Sequence, residues 1–140
     1  MKVDIEKFLS IPYCHNGRDY GGADCYGLVC LFYRDILDVE LPDFEYEKDW
    51  AKQGLDHIRE NYQQAFEKIE SPVRFGLVTF HDIGSRVDCH MGVMLDEISF
   101  LHIRENQLAH VCKLTDPVWK RQVSGFYRLK KGLNGSAHNI

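Results

Sequence analysis

One cysteine and two histidines have the residue types and the spacing to carry out acyl transfer. Cys25 follows an aspartate at the start of an apolar segment, and His90 and His102 lie twelve residues apart in the second half of the chain. A cysteine thiolate attacks amide carbonyls, and a neighbouring histidine can take up the thiol proton and return it to the leaving group. Cys25 is therefore a candidate nucleophile, and the two histidines are candidates for its base.

The element that must position Cys25 is a helix that begins at this residue. Asp24 is a favoured N-cap residue, and Gly21 and Gly22 before it permit backbone angles that a side chain would forbid. Apolar residues follow at helical spacing, at Leu28, Val29, Leu31, Phe32, Ile36 and Leu37. The sequence predicts a buried central helix with the thiol at its positive end, where the thiolate is favoured. The alternative is that Cys25 is a small buried apolar residue.

Strand parity decides whether His90 and His102 can meet. Facing residues of antiparallel strands have a constant sum of positions, and residues on one face need that sum to be even. A two-residue turn at 96–97 would put the histidines on opposite faces, whereas a three-residue turn at 95–97 places them directly opposite each other. The catalytic interpretation therefore requires a turn of odd length. Gly92, on the same face as His90, would leave room over the cysteine.

Apolar residues have helical spacing in the first half of the chain and strand-like alternation in the second half. Residues 5–9 predict one or two helical turns, and a second helix is predicted from about Lys48, with an apolar stripe that runs to Ile69 before Pro72. Five strands are then predicted at 75–80, 90–95, 99–103, 108–114 and 124–129. This order predicts an α+β fold, with helices on one side of a sequence-local antiparallel sheet of about five strands.

Length and composition indicate one globular domain. The 140 residues are 44% hydrophobic and 27% charged, which is enough for a core without disulfides. We expect a single domain over 1–132 and a flexible tail, rich in Gly, Ser and Asn, over 133–140. Five cysteines without scaffold spacing fit a reducing compartment. No apolar run reaches the roughly 18 residues of a membrane span, and the acidic N-terminus does not resemble a signal peptide.

Several motifs resemble those of the NlpC family of papain-like cysteine peptidases, especially its phage tail branch. They are Pro12-Tyr13, the run from Asp24 to Val29, Leu41-Pro42-Asp43, the run from Phe75 to Phe80, His90-Met91-Gly92-Val93, Phe100-Leu101-His102, and Trp119 with Gly125-Phe126-Tyr127-Arg128. The resemblance covers about residues 11–129. It implies a papain-like core in which the cysteine helix packs on a small sheet.

The resemblance also implies an activity. Members hydrolyse peptide bonds in the stem peptides of bacterial peptidoglycan, typically the bond between γ-linked D-glutamate and a diamino acid. Carried over by position, Cys25 is the nucleophile, His90 is the general base and acid, and His102 orients His90. The backbone amide of Cys25 is expected to help hold the oxyanion.

Three further residues are expected to contact substrate by the same resemblance. Tyr13 is expected to line the site, and Asp24 to meet a free amino group of the substrate. Tyr26 replaces the serine that is usual in cell-wall enzymes of the family, so substrate preference is expected to depart there. The phage branch implies tail or tail-tip proteins as partners. The chain is expected to be made in a host cytoplasm and to act, with the virion, at the bacterial cell wall.

Other classes of function stay open. One is a catalytically silent, structural tail-tip protein that has kept the fold. Another is a zinc site, with candidate ligands at Cys89, His90, His102, His110 and Cys112. Structural zinc sites prefer ligand pairs two to four residues apart, and the adjacent Cys89 and His90 point to opposite faces of a strand. We therefore expect no metal and no cofactor.

Nucleic-acid binding is also disfavoured, because the basic residues of 113–131 alternate with apolar ones as at a solvated sheet edge. Packing roles are expected for the remaining cysteines, Cys14, Cys30, Cys89 and Cys112.

Overall fold

A computed structural model describes residues 3–41, 65–84 and 88–130. A short 3-10 helix at Glu6–Phe8 agrees with the predicted N-terminal turns. The elements that follow are β1 (Arg18–Asp19), β2 (Gly22–Ala23), α1 (Cys25–Leu37), β3 (Phe66–Ile69), β4 (Leu77–His81), β5 (Asp88–Met94), β6 (Ser99–His102), β7 (His110–Lys113), α2 (Pro117–Lys120) and β8 (Val123–Leu129). Within these ranges no helix is long and apolar enough to cross a membrane.

The central helix α1 begins and ends where its sequence dictates. The Asp24 carboxylate accepts a hydrogen bond from the Gly27 N–H at 2.8 Å, which satisfies an amide of the first turn. The helix ends at Asp38, whose φ of 57° is left-handed, a conformation that aspartate tolerates better than most residues. Its apolar side chains are buried nearly all round. The predicted central helix is confirmed.

The six-stranded sheet is antiparallel, with the strand order β3-β8-β4-β5-β6-β7. The predicted α+β fold is confirmed, but the expected sequence-local order is wrong because β8 inserts between β3 and β4. The C-terminal end of the predicted second helix is also wrong. Residues 66–69 form β3, in which Phe66 pairs with Leu129 of β8, so pairing with a distant strand overrides the local helical spacing. The rest of that predicted helix, and the predicted tail at 133–140, lie outside the described residues.

The sheet has an apolar cluster on each face. Helix α1 packs on one face, where Met91, Val93 and Leu101 join its core. The other face carries a second buried cluster of Val78, Phe80, Met94, Phe100 and Trp119, the last of these from α2. Successive residues of β5 therefore point alternately toward α1 and toward Trp119. This alternation determines the surroundings of His90.

Candidate active site

The turn between β5 and β6 has the odd length that the catalytic interpretation requires. The Leu95 N–H donates to the Ser99 carbonyl at 2.9 Å, which leaves residues 96–98 as a three-residue loop. The Asp96 carboxylate fixes this loop by accepting the N–H groups of Ile98 at 2.8 Å and Ser99 at 2.7 Å. The loop thus lies one residue further along than the predicted turn at 95–97.

This shift changes how the histidines pair. Val93 is opposite Leu101, so the sum of positions is even and His90 and His102 share a face, as predicted. The prediction that they lie directly opposite each other is wrong, because Gly92 takes the place across from His102. A Cβ at Gly92 would lie only 3.2 Å from the Cβ of His102 and 2.9 Å from the Leu101 carbonyl oxygen. The missing side chain therefore makes room for His102 rather than over the cysteine.

The two imidazole rings meet in a hydrogen bond. His90 Nε2 and His102 Nδ1 are 2.8 Å apart, although the two residues are diagonal neighbours in the sheet. The ring of Phe80 stacks on that of His90 with centroids 5.5 Å apart, and Trp119 meets the His102 ring edge-on at 4.8 Å. His90 is 7% exposed and His102 is fully buried. The aromatic surroundings thus fix both ring orientations.

Burial keeps both histidines neutral. Removal from water holds the pKa of His90 well below its usual value, and electrostatic interactions with Arg104 and His110 lower it further. Burial is likewise the main cause of the lowered pKa of His102, followed by His90 itself. Each ring therefore carries one N–H at neutral pH, and one of the two rings must donate across the contact between them.

Cys25 lies at the first residue of α1, as predicted, but its thiol is protonated. The backbone N–H groups of Met91 and Tyr26 donate hydrogen bonds to its sulfur and lower its pKa. Burial and then the Asp24 carboxylate outweigh them and raise the pKa of Cys25 to about 12. The thiol is 7% exposed. The amide at the helix N-terminus thus favours the thiolate, but the dry site and the neighbouring negative charge oppose it more strongly.

Met91 joins the nucleophile to the histidine pair. Its side chain points toward α1 and its N–H reaches Cys25, while the preceding residue, His90, points its ring to the other face toward His102. The amide that contacts the thiol is therefore part of the peptide bond between His90 and Met91. The thiol thus contacts the backbone at Met91, and the ring of the preceding residue, His90, contacts His102.

Asp24 holds the loop before α1 onto the helix. Its carboxylate accepts hydrogen bonds from Arg18 Nη1 at 2.9 Å and from the N–H groups of Asn16 and Gly27, both at 2.8 Å. Asp24 is 1% exposed, so this ion pair and these hydrogen bonds compensate a charge that would be costly alone. A contact between Asp24 and a substrate amino group stays a prediction, and it would have to compete with these internal donors.

The glycines of this loop serve close packing rather than unusual backbone angles. Gly21 and Gly22 have no left-handed φ. A Cβ at Gly22 would lie 2.6 Å from the Cβ of Cys14, which is closer than two side-chain atoms can approach. The predicted conformational role of this pair is therefore wrong, and close approach explains Gly22.

Tyr13 lies between the thiol and an open groove. It lines a cavity of about 410 Å³ whose walls are residues 12–15 and 105–108. Burial is the largest cause of its raised pKa, followed by electrostatic interactions with Cys25, Asp24 and Glu105. Tyr13 is thus near the nucleophile on one side and accessible from the groove on the other. Its predicted contact with substrate stays a prediction.

Tyr26 occupies a different environment from the one expected. Its ring is 1% exposed and lies under the Arg18 guanidinium, whose carbon is 5.4 Å from the ring centroid. A substrate in the groove would not touch a ring buried in this way. The placement of Tyr26 therefore does not favour its predicted contact with substrate.

Cys112, predicted to be a packing residue, is a polar neighbour of His102. Its sulfur lies 3.3 Å from His102 Nε2, and the Trp119 indole N–H donates to it. The pairing of β6 with β7 explains this contact, because Phe100 is opposite Cys112 and His102 is therefore its diagonal neighbour. The alternation of His110 and Cys112 along one strand was the available signal.

Comparison with known proteins identifies the family. The sequence profile of the NlpC/P60 family matches residues 10–128. The chain belongs to the NlpC/P60 family. Its NlpC/P60 sequence is 28% identical over 127 residues to tail tip assembly protein K of Escherichia phage lambda, covering 89% of this chain and 63% of that protein. It is 30% identical over 128 residues to the probable endopeptidase YafL of Escherichia coli K12, covering 89% of this chain and 47% of that protein. This chain is therefore similar to part, not all, of each relative.

Solved NlpC/P60 structures share the fold. An NLP/P60 family protein of Staphylococcus aureus, described as similar to lipoprotein, matches with a TM-score of 0.62 at 20% identity over 88% of this chain and 38% of that one. The NlpC/p60 domain of the peptidoglycan hydrolase SagA matches with a TM-score of 0.55 at 15% identity over 86% of this chain and 88% of that one. The α1-on-sheet arrangement is thus the NlpC/P60 fold.

Proposed function

We propose that this NlpC/P60 protein is a cysteine endopeptidase that hydrolyses peptidoglycan stem peptides as part of a phage tail. The observation that carries the proposal is the 2.8 Å hydrogen bond between His90 Nε2 and His102 Nδ1, next to the amide that contacts Cys25. It is the arrangement expected of a base held by a third polar residue. The similarity to a probable endopeptidase and to a tail tip assembly protein supports the two halves of the proposal.

The neutral resting state determines how the reaction begins. Because thiol and imidazole are both uncharged, the thiol proton passes to His90 Nδ1 as the sulfur attacks the carbonyl carbon of the stem peptide. His90 Nε2–H donates to His102 Nδ1 throughout, which leaves the Nδ1 lone pair free to accept that proton. The backbone N–H of Cys25 stabilises the oxyanion. His90 then protonates the departing amine, and water releases the acyl group from the sulfur.

The groove beside Tyr13 provides the place for the substrate. A cavity of about 410 Å³ accommodates a short peptide, and its wall includes the exposed carboxylate of Glu105. We infer that the cleaved bond is the one between γ-linked D-glutamate and the diamino acid, whose free amino group fits an acidic wall. Glu105 is more accessible to that amino group than Asp24, which is buried and already bonded.

A catalytically silent, structural role in a tail tip is the second candidate. The observation that favours it is the Cys25 thiol, which is 7% exposed and whose pKa burial raises to about 12. A nucleophile held in this way needs its base at the moment of attack. If that proton transfer fails, the protein keeps its fold but does not hydrolyse peptides.

Digestion of defined muropeptides followed by mass spectrometry separates the two candidates. The purified protein, with the native fold verified by circular dichroism, is expected to release a fragment that begins at the diamino acid and to leave γ-D-glutamate with a free carboxyl group. Intact muropeptides after prolonged incubation at neutral pH would contradict the peptidase proposal and favour the structural role. Cleavage at another stem-peptide bond would contradict only the assigned bond.

A further inference from the structure

Three metal-ligating side chains meet at the edge of the sheet, next to the histidine pair. His102, His110 and Cys112 each offer one donor atom, and these atoms all lie within 4.8 Å of one another. His102 is buried, whereas the other two are half-buried on β7, the last strand of the sheet order. One side of the cluster thus borders solvent, which provides both an entry path and a place for a water ligand.

The strand register builds this cluster. His102 pairs directly with His110, and Phe100 pairs with Cys112, so the two residues of β7 on this face flank His102. The His102 Nε2 to Cys112 Sγ distance is 3.3 Å and the two imidazole centroids are 4.5 Å apart. Tetrahedral zinc with bonds of about 2.0 to 2.3 Å separates its ligands by about 3.3 to 3.8 Å, so small side-chain rotations suffice.

The surroundings orient each donor toward a common point. His110 Nδ1 lies 2.8 Å from the Leu108 carbonyl oxygen and must donate its proton there, which leaves Nε2 with a free lone pair. His102 Nδ1 is taken by His90, so its Nε2 is the atom that faces Cys112. The Trp119 indole N–H donates to the Cys112 sulfur. Metal ligands in proteins are commonly held by such outer contacts.

We propose that His102, His110 and Cys112 bind a divalent transition-metal ion, with Zn²⁺ the best match and water as the fourth ligand. Two imidazoles and one thiolate are a ligand set that suits zinc, and an open fourth position fits the solvent-facing side of the cluster. This site uses three of the five ligands considered in the sequence analysis and leaves out Cys89 and His90.

Metal binding at His102 would change the tautomer of His90, a consequence that rests on the proposed function. Without metal, His90 Nε2–H donates to His102 Nδ1. A metal on His102 Nε2 requires that ring to carry its proton on Nδ1, so the hydrogen bond reverses and His90 carries its proton on Nδ1. Each imidazole keeps one proton, and the Cys112 thiol releases one to solvent. His90 then has no lone pair facing the nucleophile, and the peptidase is switched off.

Cobalt titration of the Cys25→Ala protein tests the site without any reliance on activity. Removing Cys25 eliminates the nucleophile as a competing ligand. We expect one equivalent of Co²⁺ to produce a thiolate-to-cobalt absorption band with the visible bands of tetrahedral cobalt. The thiolate band should be absent when Cys112→Ser is added, and affinity should fall at least about tenfold with His110→Ala. Cys30→Ser on helix α1 is the matched control and should retain the full spectrum. No band, or a band that survives Cys112→Ser, would overturn the site.

Two further measurements test the switch. In ¹⁵N-histidine NMR spectra of the Cys25→Ala protein, zinc should move the His90 proton from Nε2 to Nδ1; an unchanged tautomer would overturn the switch. With active protein, saturating zinc should lower turnover about 100-fold or more, since a wrong tautomer alone costs a serine triad about 10⁴-fold. His110→Ala should lose most of this inhibition while keeping Cys25, which excludes direct poisoning of the nucleophile. Metal binding in a protein that never hydrolyses stem peptides would refute the proposed function and leave the site standing.

Discussion

Replacing Cys25 with alanine is expected to reduce stem-peptide hydrolysis to background, a loss on the order of 10⁴-fold or more. The Met91 backbone N–H donates to the Cys25 sulfur, which places this thiol next to the peptide bond between His90 and Met91. Alanine cannot form an acyl intermediate, and water attacks an amide far more slowly than a thiolate does. Initial rates of muropeptide cleavage measure the effect.

The matched control for this substitution is Cys30→Ala. Cys30 lies on the same helix, five residues beyond Cys25, and is partly buried. We expect it to keep turnover within about twofold of the wild type, and both variants to unfold with free energies within about 2 kcal/mol of it. Persistent hydrolysis by Cys25→Ala would remove the nucleophile assignment, whereas loss of activity in both variants would indicate a fold defect.

Stability is expected to fall steeply as the pH drops below about 6.5, the usual pKa of histidine. In the folded protein burial holds the pKa of both His90 and His102 well below that value, so only the unfolded chain binds protons there. The stabilisation is fully present above the unfolded pKa and is lost as the pH falls toward the folded pKa. Each histidine contributes a slope of about 1.4 kcal/mol per pH unit, so the pair contributes about 2.7 kcal/mol.

Urea unfolding at a series of pH values from 7 to 4 measures this slope. The variant His102→Gln removes one of the two titrations, so its free energy of unfolding should depend on pH less steeply by about 1.4 kcal/mol per pH unit. His81→Gln is the control, because the His81 ring lies at the surface and bonds only to the adjacent Asp82 carbonyl among its described contacts. Equal slopes for the wild type and His102→Gln would refute the assignment of a neutral, buried His102.

Local sequence signals were sufficient for α1, whereas they left the parity of the histidine strands open. The N-cap at Asp24 and the continuous apolar helix after it are short-range features, and both are present. Side-chain alternation showed only that the catalytic interpretation requires an odd turn between β5 and β6, and the strand register provides it. Its displacement to residues 96–98 depends on the Asp96 carboxylate, which bonds two amides of the loop. Parity alone could not decide between the two registers.

Long-range strand pairing and the extent of burial could not be predicted from the sequence. The spacing of Phe66 and Ile69 fits a helix and gives no sign that they pair with β8. Their strand conformation depends on a partner about 60 residues away in the sequence. The pKa of Cys25 likewise depends on how completely the fold excludes water from the site. The helix dipole can be recognised from sequence, whereas the dryness of the site that opposes it cannot.

Direct detection of an acyl-enzyme tests the central claim that Cys25 is the nucleophile of a stem-peptide hydrolase. The protein is mixed with excess muropeptide, quenched in acid within the first turnovers, digested and analysed by mass spectrometry. The account predicts a thioester on Cys25 whose mass equals the part of the stem peptide ending at γ-D-glutamate, and which hydroxylamine removes. Hydrolysis that proceeds with an adduct on another residue, or that continues without Cys25, would contradict it.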